Sequence, residues 1–176
     1  MFRQHSLMPD TRYGKELILY TMKLYLVQHG EALSKEIDPL RPLSDGGQAD
    51  ISRLAKFLKA ADVRPSQIIH SGKKRAQQTA GLLAPAIAPG RIGQVFPGLE
   101  PNDPVEKFAN QVAEWREDTL VVGHLPFLAK LVAHLVVGDQ DKLVSSFQPG
   151  TIVCLERLEL KRWTIAWIIR PELLME

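Results

Sequence analysis

Short apolar segments rich in strand-forming residues alternate along this chain with longer segments whose apolar residues recur at helical spacing. The strand-like segments are 23–27, 67–70, 91–96 and 119–122, the helical segments begin near residues 45, 73, 105 and 126, and the closing segments 151–157 and 163–169 have the pattern of an antiparallel hairpin. A strand followed by a helix and then by a parallel strand is the repeating unit of α/β proteins. The alternation therefore predicts an α/β fold, a three-layer αβα sandwich with a mostly parallel central sheet.

The ends of two of the helices can be predicted from single residues. Ser44 or Asp45 can cap the first helix, because a side-chain oxygen at this position accepts a hydrogen bond from a free amide of the first turn. The second helix is expected to stop at Pro85 or Pro89, since a proline cannot donate the next backbone hydrogen bond.

Length and composition limit how the chain can be organised. The 176 residues are enough for one domain with a sizeable core. Residues 1–21 are polar and irregular, so we expect a poorly ordered N-terminal extension before a single domain at 22–176, with Met22 as the natural beginning of that domain. The chain has no signal-peptide core and no apolar run long enough to span a bilayer, and we expect it to be cytoplasmic.

The charge balance and the cysteine count argue against several functional classes. The 22 basic and 20 acidic residues give a net charge of +2, which predicts no preference for nucleic acid or for a membrane surface. Cys154 is the single cysteine, so an internal disulfide framework is impossible, and a buried thiol is expected. The sequence contains no cysteine pair, no H-E-x-x-H motif and no glycine-rich nucleotide loop. We therefore expect neither a metal nor another cofactor.

Polar side chains follow three of the predicted strands at the point where each strand ends. Gln28-His29-Gly30 follows the first strand, His70-Ser71-Gly72 ends the second with Arg75 close behind it, and Gly123-His124 ends the fourth. In an α/β sheet, ligands bind at the carboxyl ends of the parallel strands. These residues, which are distant in sequence, are thus expected at one rim of the sheet.

The residue types at this rim suit phosphoryl transfer. A neutral imidazole such as that of His29 can attack phosphorus and hold the phosphoryl group as a phosphoramidate. Arg75 can bind phosphate oxygens through its planar guanidinium, in a first helical turn that itself favours an anion. His124 can donate a hydrogen bond to the charge that builds up on these oxygens, and Gly30 permits close approach of the backbone.

Four motifs, in order, resemble those of the histidine phosphatase superfamily, which includes the phosphoglycerate mutases. Residues 25–31 resemble the Arg-His-Gly motif, residues 41–47 the P-L-T-x-x-G segment, residues 70–80 the S-P-x-x-R-A-x-Q-T-A segment, and residues 121–124 the second-histidine motif. The short chain and its Gly-His-Leu-Pro string at 123–126 are similar to the SixA-type branch, the phosphohistidine phosphatases.

This resemblance implies a phosphoglycerate mutase-like fold and a metal-independent phosphatase in which His29 carries the phosphoryl group. His124 and Arg75 would complete the catalytic set, and Gln28, Gly30 and Arg41 would lie at the phosphate. The preferred substrate would be protein phosphohistidine, and the partner a phosphohistidine-bearing protein such as a phosphotransfer domain. The sequence predicts no particular oligomeric state.

Two departures from the family pattern bear on the chemistry, besides Ser71-Gly72 in place of Ser-Pro. Gln28 stands where the family has its first arginine, so the charge and the bidentate fork are lost, and the loss of one such donor costs about 3–4 kcal/mol in the transition state. The general acid is not in clean register: Glu100 and Asp103, in the loop after the third strand, are the candidates. A weak acid is tolerable for phosphohistidine, because the leaving imidazole can be protonated at its other nitrogen.

Two other functions remain open at this point. A phosphatase for small phosphate monoesters would need a deep, basic pocket closed by residues 31–44 and 97–104. A phospho-ligand binding module with little turnover is suggested by Gln28. Of the remaining polar residues, Glu31 is expected to order its loop and His70 to have a structural role bonded to the backbone.

Overall fold

The structure is a computed structural model that describes residues 22–159 and 162–174. Its elements are β1 (Lys23–Gln28), α1 (Asp45–Ala60), β2 (Gln67–His70), α2 (Lys74–Ile87), β3 (Gln94–Val95), α3 (Val105–Glu114), β4 (Thr119–Gly123), α4 (Phe127–Val137), β5 (Ile152–Glu159), β6 (Arg162–Ile169) and a 3-10 turn at Pro171–Leu173. The predicted extension at 1–21 lies outside the described residues. Among the helices of the described ranges, none is both long and apolar enough to cross a membrane.

One six-stranded sheet forms the centre of the molecule, with the strand order β3-β2-β4-β1-β5-β6. The first four strands along the chain run parallel to one another, whereas β5 is antiparallel to β1 and β6 is antiparallel to β5. In the register of the parallel strands, Gln28 lies opposite Gly123 and His70 lies opposite Val122. The carboxyl ends of β1, β2 and β4 therefore meet at one edge.

The sheet is covered on both faces, as the alternating pattern predicted. Successive side chains of a strand point to opposite faces, and β1 follows this rule. Tyr25 and Val27 pack into a core shared with α1 and α2, whereas Leu24 and Leu26 pack into a second core with α3 and α4. The three-layer αβα fold is thus confirmed.

Helix α1 begins as the sequence indicated. Ser44 is its N-cap, and the Ser44 side chain accepts a hydrogen bond of 3.0 Å from the amide of Gly47. Gly47 also touches the preceding loop: a Cβ at this position would lie 2.2 Å from the carbonyl oxygen of Glu31. The start of α1 and the loop that leaves β1 are therefore packed directly together.

One of two predicted boundaries is wrong. Helix α2 contains Pro85 and ends at Ile87, with Ala88 as its C-cap directly before Pro89, so the later of the two predicted stops applies; burial of Ala84 and Ile87 in the core outweighs the hydrogen bond lost at Pro85. Strand β3 spans only Gln94–Val95 instead of residues 91–96, because it is an edge strand that pairs with β2 alone.

Candidate active site

The residues that follow β1 and β4 are joined at the rim of the sheet. The backbone amide of His29 donates a hydrogen bond of 3.2 Å to the carbonyl of Gly123. This bond places the imidazole of His29 beside that of His124, with 4.9 Å between the ring centroids. Two histidines that are 95 positions apart in the sequence thus face one space.

The hydrogen bonds of His29 define which of its nitrogens is available for reaction. Its Nδ1 lies 2.7 Å from the carbonyl oxygen of Gly30, which can only accept, so Nδ1 carries the proton. Arg75 donates from Nε to the Nε2 atom of His29 at 3.0 Å, which requires a lone pair on Nε2. Burial is the main factor that lowers the pKa of His29 to about 4, and the charges of Arg75 and Arg41 lower it further. The side chain is therefore a neutral imidazole at neutral pH.

The backbone that carries His29 is fixed to the neighbouring helices. The amide of Gly30 donates to the Thr79 hydroxyl at 3.1 Å, and this hydroxyl donates in turn to the carbonyl of Arg75 at 2.8 Å. A Cβ on Gly30 would lie 2.9 Å from the Cγ1 atom of Ile51, so a larger residue would displace α1. Gly30 therefore allows the close approach that places His29 against Arg75.

His124 is almost completely buried, with 2% of its surface exposed. Its Nε2 lies 2.6 Å from the Oγ atom of Ser71, whereas its Nδ1 is buried without a hydrogen-bond partner among the described residues. Burial lowers the pKa of His124 to about 3; protonation of His29 and the charge of Arg75 act in the same direction. The second imidazole is thus neutral as well.

Two arginines supply positive charge at the rim. Arg75 lies in the first turn of α2, where free amides also favour an anion. Arg41 belongs to the loop between β1 and α1, has a left-handed backbone with φ of 50°, and donates from Nε to the carbonyl of Leu33 at 3.2 Å. Its charge contributes to the lowered pKa of both His29 and His124, so it lies near enough to act on both rings.

Gln28 places an uncharged amide at the end of β1. The residue is 8% exposed, and its Oε1 atom is fully buried without a hydrogen-bond partner in the described part of the chain. Its backbone amide donates to the carbonyl of Thr151 at 3.0 Å. The strand end is therefore well ordered, but it contributes no charge to the rim.

The two candidate acids occupy different positions. Glu100 forms an ion pair with Lys73, at 2.5 Å between Nζ and Oε2, and its charge also acts on Arg75. Asp103 accepts a hydrogen bond from the backbone amide of Glu100 at 2.8 Å and so orders the loop. Glu100 thus lies beside Lys73 and near Arg75, whereas Asp103 supports the loop that carries it.

Several contacts at the rim could not be derived from the sequence. Ser71 and Lys73 stand inside a recognised motif, yet their partners His124 and Glu100 come from other strands and loops. The sequence pointed to Ser71 and Lys73 only through their closeness to Arg75 along the chain. Glu31 behaves as expected, because its carboxylate accepts a hydrogen bond from the Ser44 hydroxyl and orders the loop.

His70 does not contribute its ring to the histidine pair. Its Nδ1 accepts a hydrogen bond of 3.1 Å from the amide of Gly72, and burial lowers its pKa. This bond shapes the turn between β2 and α2, in agreement with the structural role expected from the sequence.

Comparison with known proteins gives a consistent result. Residues 24–92 match the family model of the histidine phosphatase superfamily (branch 1). Phosphohistidine phosphatase SixA of Escherichia coli (strain K12) is 26% identical over 155 residues, which make up 85% of this chain and 94% of the relative. An uncharacterized protein of Picosynechococcus sp. is 31% identical over 138 residues, or 74% of this chain and 83% of that relative.

Solved structures share the fold over most of the chain. The protein histidine phosphatase SixA complexed with tungstate has a TM-score of 0.78 at 26% identity, and the match covers 88% of this chain and 100% of that one. The alpha-ribazole phosphatase from Shigella flexneri has a TM-score of 0.70 at 19% identity, over 85% of this chain and 97% of that one, which shows a common fold. The family match and the likeness to SixA support a phosphatase activity, and they confirm the resemblance seen in the motifs. This chain belongs to the histidine phosphatase superfamily.

Proposed function

We propose that this chain is a phosphohistidine phosphatase, which removes the phosphoryl group from protein phosphohistidine through an intermediate on His29. The observation that carries the proposal is the protonation state of Nε2 of His29. His29 Nε2 has an unprotonated lone pair, because Nδ1 donates to Gly30 and Arg75 donates to Nε2. A nucleophilic nitrogen beside an anion-binding guanidinium suits attack on a phosphoryl group.

The proposed reaction has two steps. The Nε2 lone pair of His29 forms a bond to phosphorus while the bond from phosphorus to the substrate nitrogen breaks, and the leaving imidazole takes a proton at its other nitrogen. Water then attacks the phosphoryl group on His29, which releases phosphate and restores the imidazole. In both steps Arg75 and Arg41 balance the negative charge, and His124 donates a hydrogen bond to a phosphoryl oxygen.

The proposed substrate class is supported by the surroundings of Glu100, the candidate general acid. In the free chain Glu100 is ion-paired with Lys73, and a proton on its carboxyl group would disrupt that pair. A leaving imidazole needs little help from an acid, whereas the alkoxide that leaves a phosphate monoester needs more. The similarity to SixA, a phosphohistidine phosphatase that has been solved with the tetrahedral anion tungstate, supports the same choice. The partner would be a phosphohistidine-bearing protein such as a phosphotransfer domain.

A second candidate function is favoured by Gln28 alone. With an uncharged amide in place of an arginine, the rim has one cation fewer to stabilise the transition state, while Arg75 and Arg41 can still bind a phosphoryl group. The chain would then bind phosphohistidine proteins with little turnover.

Rapid labelling separates these functions. The chain is mixed with a phosphotransfer domain carrying 32P-phosphohistidine, quenched in alkali where phosphohistidine survives, and analysed for label on the chain and for free phosphate. We expect a burst of label on His29 followed by steady release of phosphate, with no label in His29→Asn. Because His134 lies on α4, away from the rim, His134→Asn serves as the matched control and should behave like the wild type.

Each outcome decides between the candidates. Tight binding of the phosphoprotein without label or phosphate release would support the binding module. Faster release of phosphate from small esters such as p-nitrophenyl phosphate than from the phosphoprotein would contradict the proposed substrate class. Turnover that survives His29→Asn would end the proposal of a phosphohistidine intermediate.

A further inference from the structure

Ser71 has no role in the function proposed above, yet its hydroxyl oxygen lies 2.6 Å from Nε2 of His124. It stands in the short turn between the end of β2 at His70 and the start of α2 at Lys74. We propose that Ser71 is a positioning residue that holds His124 as the Nε2–H tautomer and keeps this N–H ready to donate to a phosphoryl oxygen. The proposal rests on the proposed function, since it concerns how the second histidine stabilises the transferred group.

The surroundings of His124 determine which nitrogen carries its proton. A neutral imidazole has one N–H group, on either Nδ1 or Nε2. The Nδ1 atom is buried, and in residues 22–159 and 162–174 it has no hydrogen-bond partner. An unpaired buried N–H group is rarer than an unpaired acceptor. The proton therefore belongs on Nε2, which donates to the Ser71 hydroxyl oxygen.

The charges around His124 keep it in this neutral form. Burial is the largest factor that lowers its pKa, and the charges of Arg75, Lys73 and Arg41 lower it further. A neutral ring can donate from one nitrogen only. The choice of tautomer thus decides whether a phosphoryl oxygen meets an N–H group or a lone pair that repels it.

The hydroxyl of Ser71 is suited to hold the Nε2–H group of His124, because a hydroxyl can accept one hydrogen bond and donate another at the same time. Its oxygen accepts from Nε2 of His124 in the free chain, while its own hydrogen stays available for a second acceptor. When a phosphoryl oxygen arrives, it can replace or share the Ser71 oxygen as the acceptor of this N–H, and the ring needs no change of tautomer. Such preorganisation favours the transition state and should appear in kcat more than in KM.

Four variants test the proposal with a phosphohistidine protein as substrate. We expect Ser71→Ala to lower kcat about tenfold with little change in KM, which corresponds to one hydrogen bond. Ser71→Thr keeps the hydroxyl and should retain most of the activity. In a His124→Ala background, Ser71→Ala should have no further effect, because Ser71 acts through His124.

Nitrogen-15 NMR of the histidine rings gives a readout that does not depend on turnover. In the wild type, the His124 signals, identified by their loss in His124→Ala, should show a protonated Nε2 and an unprotonated Nδ1. In Ser71→Ala they should shift towards a mixture of the two tautomers. A chain that fails to label His29 would refute the proposed function and would leave this measurement intact.

Three results would overturn the role of Ser71. The first is a wild-type His124 that is protonated on Nδ1. The second is full activity in Ser71→Ala, and the third is a loss in the double variant equal to the product of the two single losses. Circular dichroism and thermal melting of each variant show whether a loss of activity comes from unfolding instead.

Discussion

At the scale of single residues, the rim combines an uncharged amide with two neutral imidazoles. Gln28 is uncharged by its nature, whereas His29 and His124 are uncharged because burial and nearby cations lower their pKa values to about 4 and about 3. The charge that meets an anion therefore comes from the arginines. Anion binding at this site therefore depends more on Arg75 and Arg41 than it would if β1 carried a further arginine.

Replacing Gln28 with arginine tests this dependence. We expect Gln28→Arg to raise kcat/KM for a phosphohistidine protein by about tenfold or more, since one charged donor at such a site contributes at least that much. Gln28→Met, of similar length but without hydrogen-bonding groups, serves as the matched control and should lower it. Calorimetric titration with vanadate measures anion affinity separately from turnover. Unchanged kinetics in Gln28→Arg would mean that the other cations already supply the charge.

The placement of single residues was more predictable than their contacts. The motifs at the strand ends predicted that His29, Arg75 and His124 lie together, because parallel strands bring their carboxyl ends to one edge whatever the details of packing. The bond from Ser71 to His124 and the ion pair of Lys73 with Glu100 join segments that are remote in sequence. No local pattern specifies such pairs, so they became visible only in three dimensions.

At the scale of elements, the start of α1 and the loop before it form one packed unit. Gly47 lets the helix backbone touch Glu31, the Ser44 hydroxyl caps the helix, and the Glu31 carboxylate accepts a hydrogen bond from that same hydroxyl. Arg41 is part of this loop. The backbone of this loop is therefore positioned by packing against a helix, and the Arg41 side chain is held within the loop by its hydrogen bond to the carbonyl of Leu33.

A substitution at Gly47 tests this coupling. Gly47→Ala places a methyl group where a backbone oxygen now lies, and we expect it to cost about 1–3 kcal/mol of stability and to lower anion affinity through displacement of Arg41. The matched control is Gly81→Ala in α2, where the new Cβ has no atom within 4 Å. It should leave activity unchanged and stabilise the chain by about 0.5–1 kcal/mol. Urea unfolding and phosphate titration of both variants check the two effects.

At the scale of the whole molecule, the fold class was predictable and the order of the strands was not. Alternation of strand and helix patterns is a local property, and it specifies two helical layers around a parallel sheet. The position of β4 between β1 and β2 depends on pairing between distant segments. The sequence left the end of α2 open between Pro85 and Pro89, and burial of Ile87 in the tertiary core favours the later position.

The buried histidines make the stability of the whole molecule depend on pH. An unfolded histidine has a pKa of about 6.5, whereas those of His29 and His124 in the folded chain are lowered to about 4 and about 3. Between these values the unfolded chain binds protons that the folded chain does not, so the free energy of unfolding should fall as the pH drops from 7 to 4.

Urea unfolding at pH 7.5 and pH 5 measures this loss. For His124, which is almost fully buried, we expect about 1–2 kcal/mol between the two pH values. His124→Gln removes the contribution of His124 to this pH dependence. The variant should therefore lose less stability on acidification than the wild type. An equal loss in both would mean that other groups account for the dependence.

The hydrogen bond from Arg75 to Nε2 of His29 has a consequence for selectivity among electrophiles. In the free chain the Nε2 lone pair, which attacks phosphorus in the proposed reaction, already accepts a hydrogen bond from the guanidinium. A tetrahedral anion offers this guanidinium a full negative charge and several acceptors, and so would draw it away from the imidazole. Uncharged electrophiles offer no such exchange. If the proposed reaction holds, the nucleophilic nitrogen becomes available when an anionic group binds, and it remains hydrogen-bonded in the presence of uncharged electrophiles.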